Sequence, residues 1–289
     1  MHLLKDIVIF LTFLFSLSLF TSCNTASEET VETPILDNSF FLIENATHKI
    51  PWNKKSKCFI QISQNGDTLP IKAKYRGGMS SQYYKHSFSI AFTKDTSLFK
   101  GWKSDDDYIL NANYIDKTFI RHRLSYDLFK FFTSTNIAPK SHFKNLYLNN
   151  DYQGLYLVME EVDRSLLDIK KTDTTAFILK DGALFSDYID GYPTQEGEDV
   201  FQQKFPKKQT KEDSLQIKEL WDLLHCSNDS KFKTTIANHF NIDNIIDWHL
   251  LLLLTNNGDG VTKNFYWYKK NNGLWNVIPW DYDDSFGRN

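Results

Sequence analysis

The chain is poor in cysteine, proline and glycine and carries almost no net charge. Of 289 residues, 3 are Cys, 7 are Pro and 12 are Gly. So few cysteines exclude a disulfide-dense scaffold, and their spacing supports no zinc site. So little Pro and Gly excludes a collagen-like or Pro/Gly-rich linker protein. Lys and Arg number 33 against 36 Asp and Glu, a balance of −3, which excludes a polycationic nucleic-acid coat and an acidic tail protein. Long apolar runs are also missing: Ile7 to Phe20 is short for a membrane span, and Leu250 to Leu254 is shorter still. No Gly-x-Ser-x-Gly elbow occurs, which disfavours an esterase. No His-x-x-x-His pair with a carboxylate is found among His86, His122, His225, His239 and His249, which disfavours a zinc hydrolase. Aromatic residues are plentiful instead, with 23 Phe, 14 Tyr and 7 Trp, and a 41% hydrophobic content is enough to bury a sizeable core.

Lys5 precedes the apolar stretch Ile7 to Phe20, which ends in Thr21, Ser22 and Cys23, the order of an export signal. Phe20-Thr21-Ser22-Cys23 resembles the lipobox of bacterial lipoproteins, although Phe20 stands where Leu is usual. That resemblance implies a signal peptide over 1–22, lipidation at Cys23 and an exported protein lipid-anchored to the cell envelope. Residues 23–38 are polar, with Glu28, Glu29 and Glu32, as a solvated tether would be. Cys58 and Cys226 are then expected to be buried thiols.

The expected fold class is α+β. Strand-like alternation dominates up to Lys180, and helical periodicity dominates from Lys211. Cys58 to Ser63 and Ile71 to Arg76 flank Gln64-Asn65-Gly66-Asp67 and predict a hairpin, continued by Ser87 to Phe92. Phe119, Ile120, Leu124, Leu128, Phe129 and Phe132 predict a helix over 118–132. Phe143 to Leu148 and Tyr152 to Met159 form a second expected hairpin, followed by a strand from Ala176 to Lys180. Asp181 to Phe205 reads as a long connecting loop. Helices are expected over Asp213 to Leu224 and Phe232 to Phe240, and a third, capped by Asn241 or Asp243, ends in five leucines and should be buried on most sides. A last hairpin joins Asn264 to Tyr268 with Trp275 to Ile278. Asp105-Asp106-Asp107 is expected on a turn, and Lys204, Lys207 and Lys208 on a solvated loop.

One order of residues carries chemistry. The leucine-rich helix runs into Asn256-Asn257-Gly258-Asp259-Gly260, then Asn264, then a hairpin, then Trp280-Asp281-Tyr282-Asp283-Asp284. Protein kinases likewise place an Asp five residues before an Asn, with a metal-binding Asp after a hairpin. Phosphoryl transfer needs a carboxylate to orient or deprotonate the acceptor hydroxyl, and oxygen ligands to hold Mg²⁺ on nucleotide phosphates. Arg76-Gly77-Gly78-Met79-Ser80-Ser81 either turns backbone N–H groups toward phosphates or is a bulged strand end. Lys180, at the end of Phe177-Ile178-Leu179, is the first candidate for a nucleotide lysine and Lys85 the second. Glu160 and Glu161 could pair with that lysine or form a surface pair. Arg121 either faces phosphates or caps the sheet.

Tyr75 to Ser81 with Lys85, Arg121, Asn149 to Glu161, Asn264-Phe265-Tyr266 and Trp280 to Asp283 together resemble the CotH family over most of the chain. The resemblance implies an atypical protein-kinase-like bilobal fold, with a β-rich N-terminal lobe over 39–180 and a helix-rich C-terminal lobe over 181–289. It implies ATP and Mg²⁺ or Mn²⁺ as cofactors and phosphorylation of Ser residues in secreted or surface proteins; the charge balance points to no nucleic-acid partner. Asp259 then matches the catalytic Asp, Asn264 and Asp281 the metal and phosphate end, and Trp280 the residue shaping it. A kinase-like lobe would continue beyond Asn289, eight residues after Asp281, so the expected module is either minimal or C-terminally truncated. The alternative function is a non-catalytic adhesin or assembly module on the same scaffold.

Overall fold

Strands with alternating burial, as over 56–61 and 68–73, and strands with continuous buried runs, as over 87–90 and 156–160, build a closed β-barrel in the first half of the chain. The computed structural model describes residues 40–44, 49–62, 67–180, 202–207, 210–226 and 228–287. The proposed signal and tether with Cys23, the turn at Gln64 to Gly66, most of the stretch after Lys180, and Lys208 lie outside the described residues. Seven strands close the barrel: β1 (Phe40–Glu44), β2 (Ser56–Gln61), β3 (Thr68–Arg76), β4 (Ser87–Thr96), β5 (Asp105–Asn111), β6 (Ser141–Leu148) and β7 (Asp151–Glu160). Their order is β1-β2-β3-β4-β5-β7-β6, and β1 closes the ring by pairing parallel to β6. Closure removes the free edges that an open sheet would expose. Ile43, Ile60, Ile71, Ala73, Phe88, Ile90, Tyr108, Leu110 and Val158 fill the interior.

Helix α1 (Arg121–Phe132) follows β5. Its N-terminus lacks a capping side chain at Ile120, and buried Asp116 takes that role by accepting from Arg121 N at 3.0 Å. The same carboxylate accepts from the Arg121 guanidinium at 2.9 Å, so Arg121 anchors the helix start. The buried stripe is His122, Ser125, Tyr126 and Phe129. Of the expected face, Phe129 is buried and Leu128 and Phe132 pack half-buried against the core, but Ile120 and Leu124 are exposed. His122 is held inward by its contact with Asp281 at 3.1 Å.

The second half forms a four-stranded antiparallel sheet in the order β11-β10-β8-β9, with β8 (Phe177–Lys180), β9 (Gln202–Phe205), β10 (Phe265–Lys269) and β11 (Asn276–Pro279). Thus β8, which sequence texture grouped with the earlier strands, pairs with β10, and the end of the expected loop forms β9. The short helix α2 (Arg164–Leu167) precedes this sheet. Against the sheet pack α3 (Lys211–Leu224), α4 (Asp229–Thr235) and α5 (Ile242–Thr255), in one cluster with Tyr126, Phe129, Trp248, Leu251, Trp267 and Trp280. The described residues form one compact unit. No helix among the described residues is long and apolar enough to cross a membrane.

Two expectations are overturned by packing. Leu251 and Leu252 are buried, but Leu250, Leu253 and Leu254 are exposed. Successive helical residues point in different directions, and α5 is covered on one side only. Asp105 to Asp107 do not sit on a turn. They open β5, and Asp105 is buried, accepting a hydrogen bond from Asp106 N at 2.7 Å. Cys58 is buried as expected, while Cys226 is only partly so.

Candidate functional site

Local backbone rules bring the acidic residues to one end of the second sheet. Asn241 caps α5 by accepting from Asn244 N, and Asn256 ends it in the left-handed conformation, with φ of 50°. The chain then turns sharply at Gly260, where a Cβ would come within 2.7 Å of Leu252 and 2.8 Å of the Asn257 amide. A side chain there would force the Leu252 and Asn257 side chains to shift. The turn presents Asp259, whose carboxylate accepts from Asn264 Nδ2 at 2.6 Å and lies 3.1 Å from Lys263 Nζ. Asn264 itself is left-handed, with φ of 65°, which Asn tolerates better than most residues.

The β10–β11 hairpin places Trp280 and Asp281 beside Asn264, as the sequence order predicted. Phe265 pairs with Pro279, and Trp280 N donates to the Asn264 carbonyl at 3.0 Å. Lys180 reaches the same end, because it pairs with Tyr266 in the sheet. Arg76, at the end of β3, holds its guanidinium carbon 5.9 Å from the Trp280 ring centroid. Trp280 is further fixed by Tyr126 stacked at 6.5 Å and Tyr266 edge-on at 5.5 Å.

Asp281 is the electrostatic centre of this group. Its backbone is left-handed, with φ of 58°, and its N–H reaches Tyr126 Oη at 3.4 Å. One carboxylate oxygen lies 3.1 Å from His122 Nε2. Burial alone would raise the Asp281 carboxyl, but the His122 hydrogen bond and the charges of His122, Arg76 and Lys180 outweigh it and hold the group below its ordinary value. The carboxylate side chain still meets solvent over 44% of its surface, so an ion could be approached from outside. His122 is 1% exposed. Burial disfavours its charged form, yet Asp281, with Asp283 and Asp116 adding charge, raises its basicity above the ordinary histidine value.

His122, Asp281 and Asp283 each offer a ligand atom, all within 4.8 Å of one another. Two neighbouring ligands of one ion bonded at about 2.1–2.2 Å stand about 3.0 Å apart at a right angle. The 3.1 Å separation of His122 and Asp281 matches that edge, so the donor set fits a divalent cation. Neither His122 nor Asp283 was assigned a role from sequence. A histidine 159 positions from its carboxylate leaves no spacing signal.

The other expected site residues are held elsewhere. Lys85 donates to the carbonyls of Leu155 and Ala112, the latter at 3.0 Å, and lies 4.2 Å over the Tyr156 ring. Burial lowers its ammonium to about 8. Buried Glu160 accepts from Lys140 N at 2.8 Å and so secures the start of β6. After Gly77, which is left-handed at φ of 140°, Met79 to Gln82 form one 3₁₀ turn.

A family model described as CotH kinase protein matches residues 73–289 of this chain. The chain belongs to the CotH family. The CotH match contains the whole cluster: Arg76, His122, Lys180, Asp259, Asn264, Trp280, Asp281 and Asp283. Among curated proteins, the inner spore coat protein H of Bacillus subtilis (strain 168) is 30% identical over 228 residues, which is 78% of this chain and 61% of that CotH relative. The chain therefore spans about three-fifths of its relative's length.

Proposed function

We propose that the protein is an exported, membrane-tethered atypical kinase that transfers the γ-phosphoryl group of ATP to Ser residues of secreted or surface proteins. The observation that carries this reading is the convergence of Asp259, Asn264 and Asp281, with Arg76 and Lys180, on one end of the β8–β10–β11 sheet. The name of the family supports the reaction class. Residues 1–22 and Cys23 would supply the export signal and lipid anchor.

In this reading Asp259, oriented by Asn264 and Lys263, accepts the proton of the serine hydroxyl as its oxygen bonds to the γ-phosphorus and ADP departs. Arg76 and Lys180 offer positive charge to the phosphates, and Trp280 braces Arg76. His122, Asp281 and Asp283 would hold a divalent ion, which neutralises phosphate charge when bound. Two measurements test this reading. ATP with Mg²⁺ or Mn²⁺ should raise the melting temperature of the mature chain. Labelled ATP should pass phosphate to a Ser-rich acceptor, and Asp259→Ala should abolish transfer. Equal labelling by the variant would remove Asp259 from the reaction. Absence of any nucleotide-dependent shift would favour the non-catalytic surface module.

A further inference from the structure

We propose that His122 is itself a metal ligand, and that it makes this site prefer an imidazole-accepting first-row transition ion over Mg²⁺. The inference rests on reading the Asp281 end as a metal–nucleotide site, and it names which ion that site selects.

His122 is placed with little freedom. It is the second residue of α1, whose first turn is clamped by Asp116 through both the backbone and the guanidinium of Arg121. The ring is 1% exposed, with Tyr126 edge-on at 6.1 Å. Nδ1 is buried and finds no hydrogen-bond partner among the described residues. Packing therefore sets the ring plane, and the ring's polar business is conducted through Nε2.

Nε2 faces two groups that make opposite demands. On one side stands the Asp281 carboxylate at 3.1 Å, which, ionised, can only accept. On the other stands Asn111 Nδ2 at 3.4 Å, which can only donate. The Asn111 amide is oriented by the Asn113 N–H, which needs an acceptor and finds Oδ1 at 3.4 Å, and Ser87 Oγ donates to the same oxygen at 3.1 Å. A proton on Nε2 suits Asp281 and opposes Asn111, whereas a bare lone pair suits Asn111 and opposes Asp281. A cation between Nε2 and the carboxylate removes the conflict with Asp281, since imidazole lone pair and carboxylate oxygen then both point at positive charge.

The donor set decides the class of ion. Mg²⁺ takes oxygen ligands and water, and a buried neutral imidazole contributes little to holding it. Fe²⁺, Co²⁺ and Zn²⁺ accept imidazole together with carboxylates, and Mn²⁺, although it favours oxygen ligands, takes an imidazole nitrogen more readily than Mg²⁺ does. With His122 fixed by packing and Asp281 partly open to solvent, the remaining coordination positions face outward, where water or phosphate oxygens can fill them.

The test uses the full chain with metal alone, so that no nucleotide nitrogen enters the signal. Bound Mn²⁺ is read by pulsed electron paramagnetic resonance for coupling to a directly ligated ¹⁴N nucleus, and Mn²⁺ and Mg²⁺ dissociation constants are measured by titration. A nitrogen coupling and tighter binding of Mn²⁺ than of Mg²⁺ are expected. In His122→Asn the coupling should vanish and Mn²⁺ binding weaken about tenfold or more, with Mg²⁺ binding changed less than about twofold. His122→Gln serves as a second variant, and the wild-type spectrum is decisive should both variants fail to fold. Absence of nitrogen coupling, or equal weakening for both ions, overturns the proposal. Nitrogen-ligated Mn²⁺ in a chain that transfers no phosphate would defeat the kinase reading and leave this one standing. Phosphate transfer without nitrogen ligation would do the reverse.

Discussion

Asn264 donates its side-chain amide to the Asp259 carboxylate across 2.6 Å, joining two residues five positions apart into one unit. Lys263 contacts the other carboxylate oxygen at 3.1 Å. Asp259 is thereby aimed, although its side chain is 40% exposed. An exposed ion pair of this kind adds little stability, so the arrangement is better explained by orientation than by folding.

Substitutions in this pair should separate chemistry from stability. Asp259→Asn should lower kcat for phosphate transfer by about 10²–10⁴-fold, with melting unchanged to within about 0.5 kcal/mol. Asn264→Gly keeps the left-handed backbone without strain and deletes only the amide. It should lower kcat by about tenfold or more, with the KM for the protein acceptor nearly unchanged. A Gly variant with full kcat would show that Asp259 needs no such orientation.

Asp105 predicts how stability depends on pH. Burial first, and then the charge of Asp163, push its carboxyl up to about 7, against the favourable hydrogen bonds of Asp106, Asp107 and Ser165. Asp163, half-buried at the N-cap of α2, is raised as well by its burial. As pH rises above about 4, the unfolded chain releases the Asp105 proton before the folded chain does. The unfolded state is favoured increasingly until about pH 7, after which the penalty is constant. Asp105→Asn removes the penalty while keeping an oxygen for the same donors. Denaturant midpoints should place the variant about 1–2 kcal/mol above wild type at pH 8, with the gap closing toward pH 4. A gap independent of pH would show that Asp105 does not titrate in that window.

Asn244 ties the helices to the strand that carries the site. Its Oδ1 accepts from Val277 N at 2.7 Å, and its Nδ2 donates to Asn136 Oδ1 at 2.9 Å. Asn136 in turn donates to the Phe129 carbonyl at 3.0 Å and to Asp247 at 2.6 Å. Replacing Asn244 by Leu conserves approximate volume but strands two buried polar groups. The expected loss is about 2–4 kcal/mol in urea unfolding. A loss below about 0.5 kcal/mol would mean that this network is not required to dock β11 on α5.

Much of the architecture was legible because its causes are local. Turn residues such as Asn149-Asn150 take left-handed angles, with φ of 49° and 69°, and the hairpin β6–β7 follows from them. The Asn241 cap and the Gly260 turn likewise act within a few residues. The order Asp259, Asn264, Asp281 was visible for the same reason, since one antiparallel hairpin returns the chain to its starting end. Burial was less legible. Five leucines in a row reveal hydrophobicity but not which side of α5 is covered, and three aspartates in a row do not disclose that the first is enclosed.

The sequence by itself determined most of the strands, though not β1, β5 or β9, together with the main helices and the acidic end of the last hairpin, through periodicity and turn chemistry that span a few residues. Only the tertiary structure decided that the charge of Lys180 acts on Asp281, that Lys85 is spent on backbone carbonyls, and that His122 meets a carboxylate 159 positions away. Such contacts depend on how closed barrel, sheet and helix α1 are brought together. No local rule encodes the distance between two side chains whose elements meet only when the core is packed.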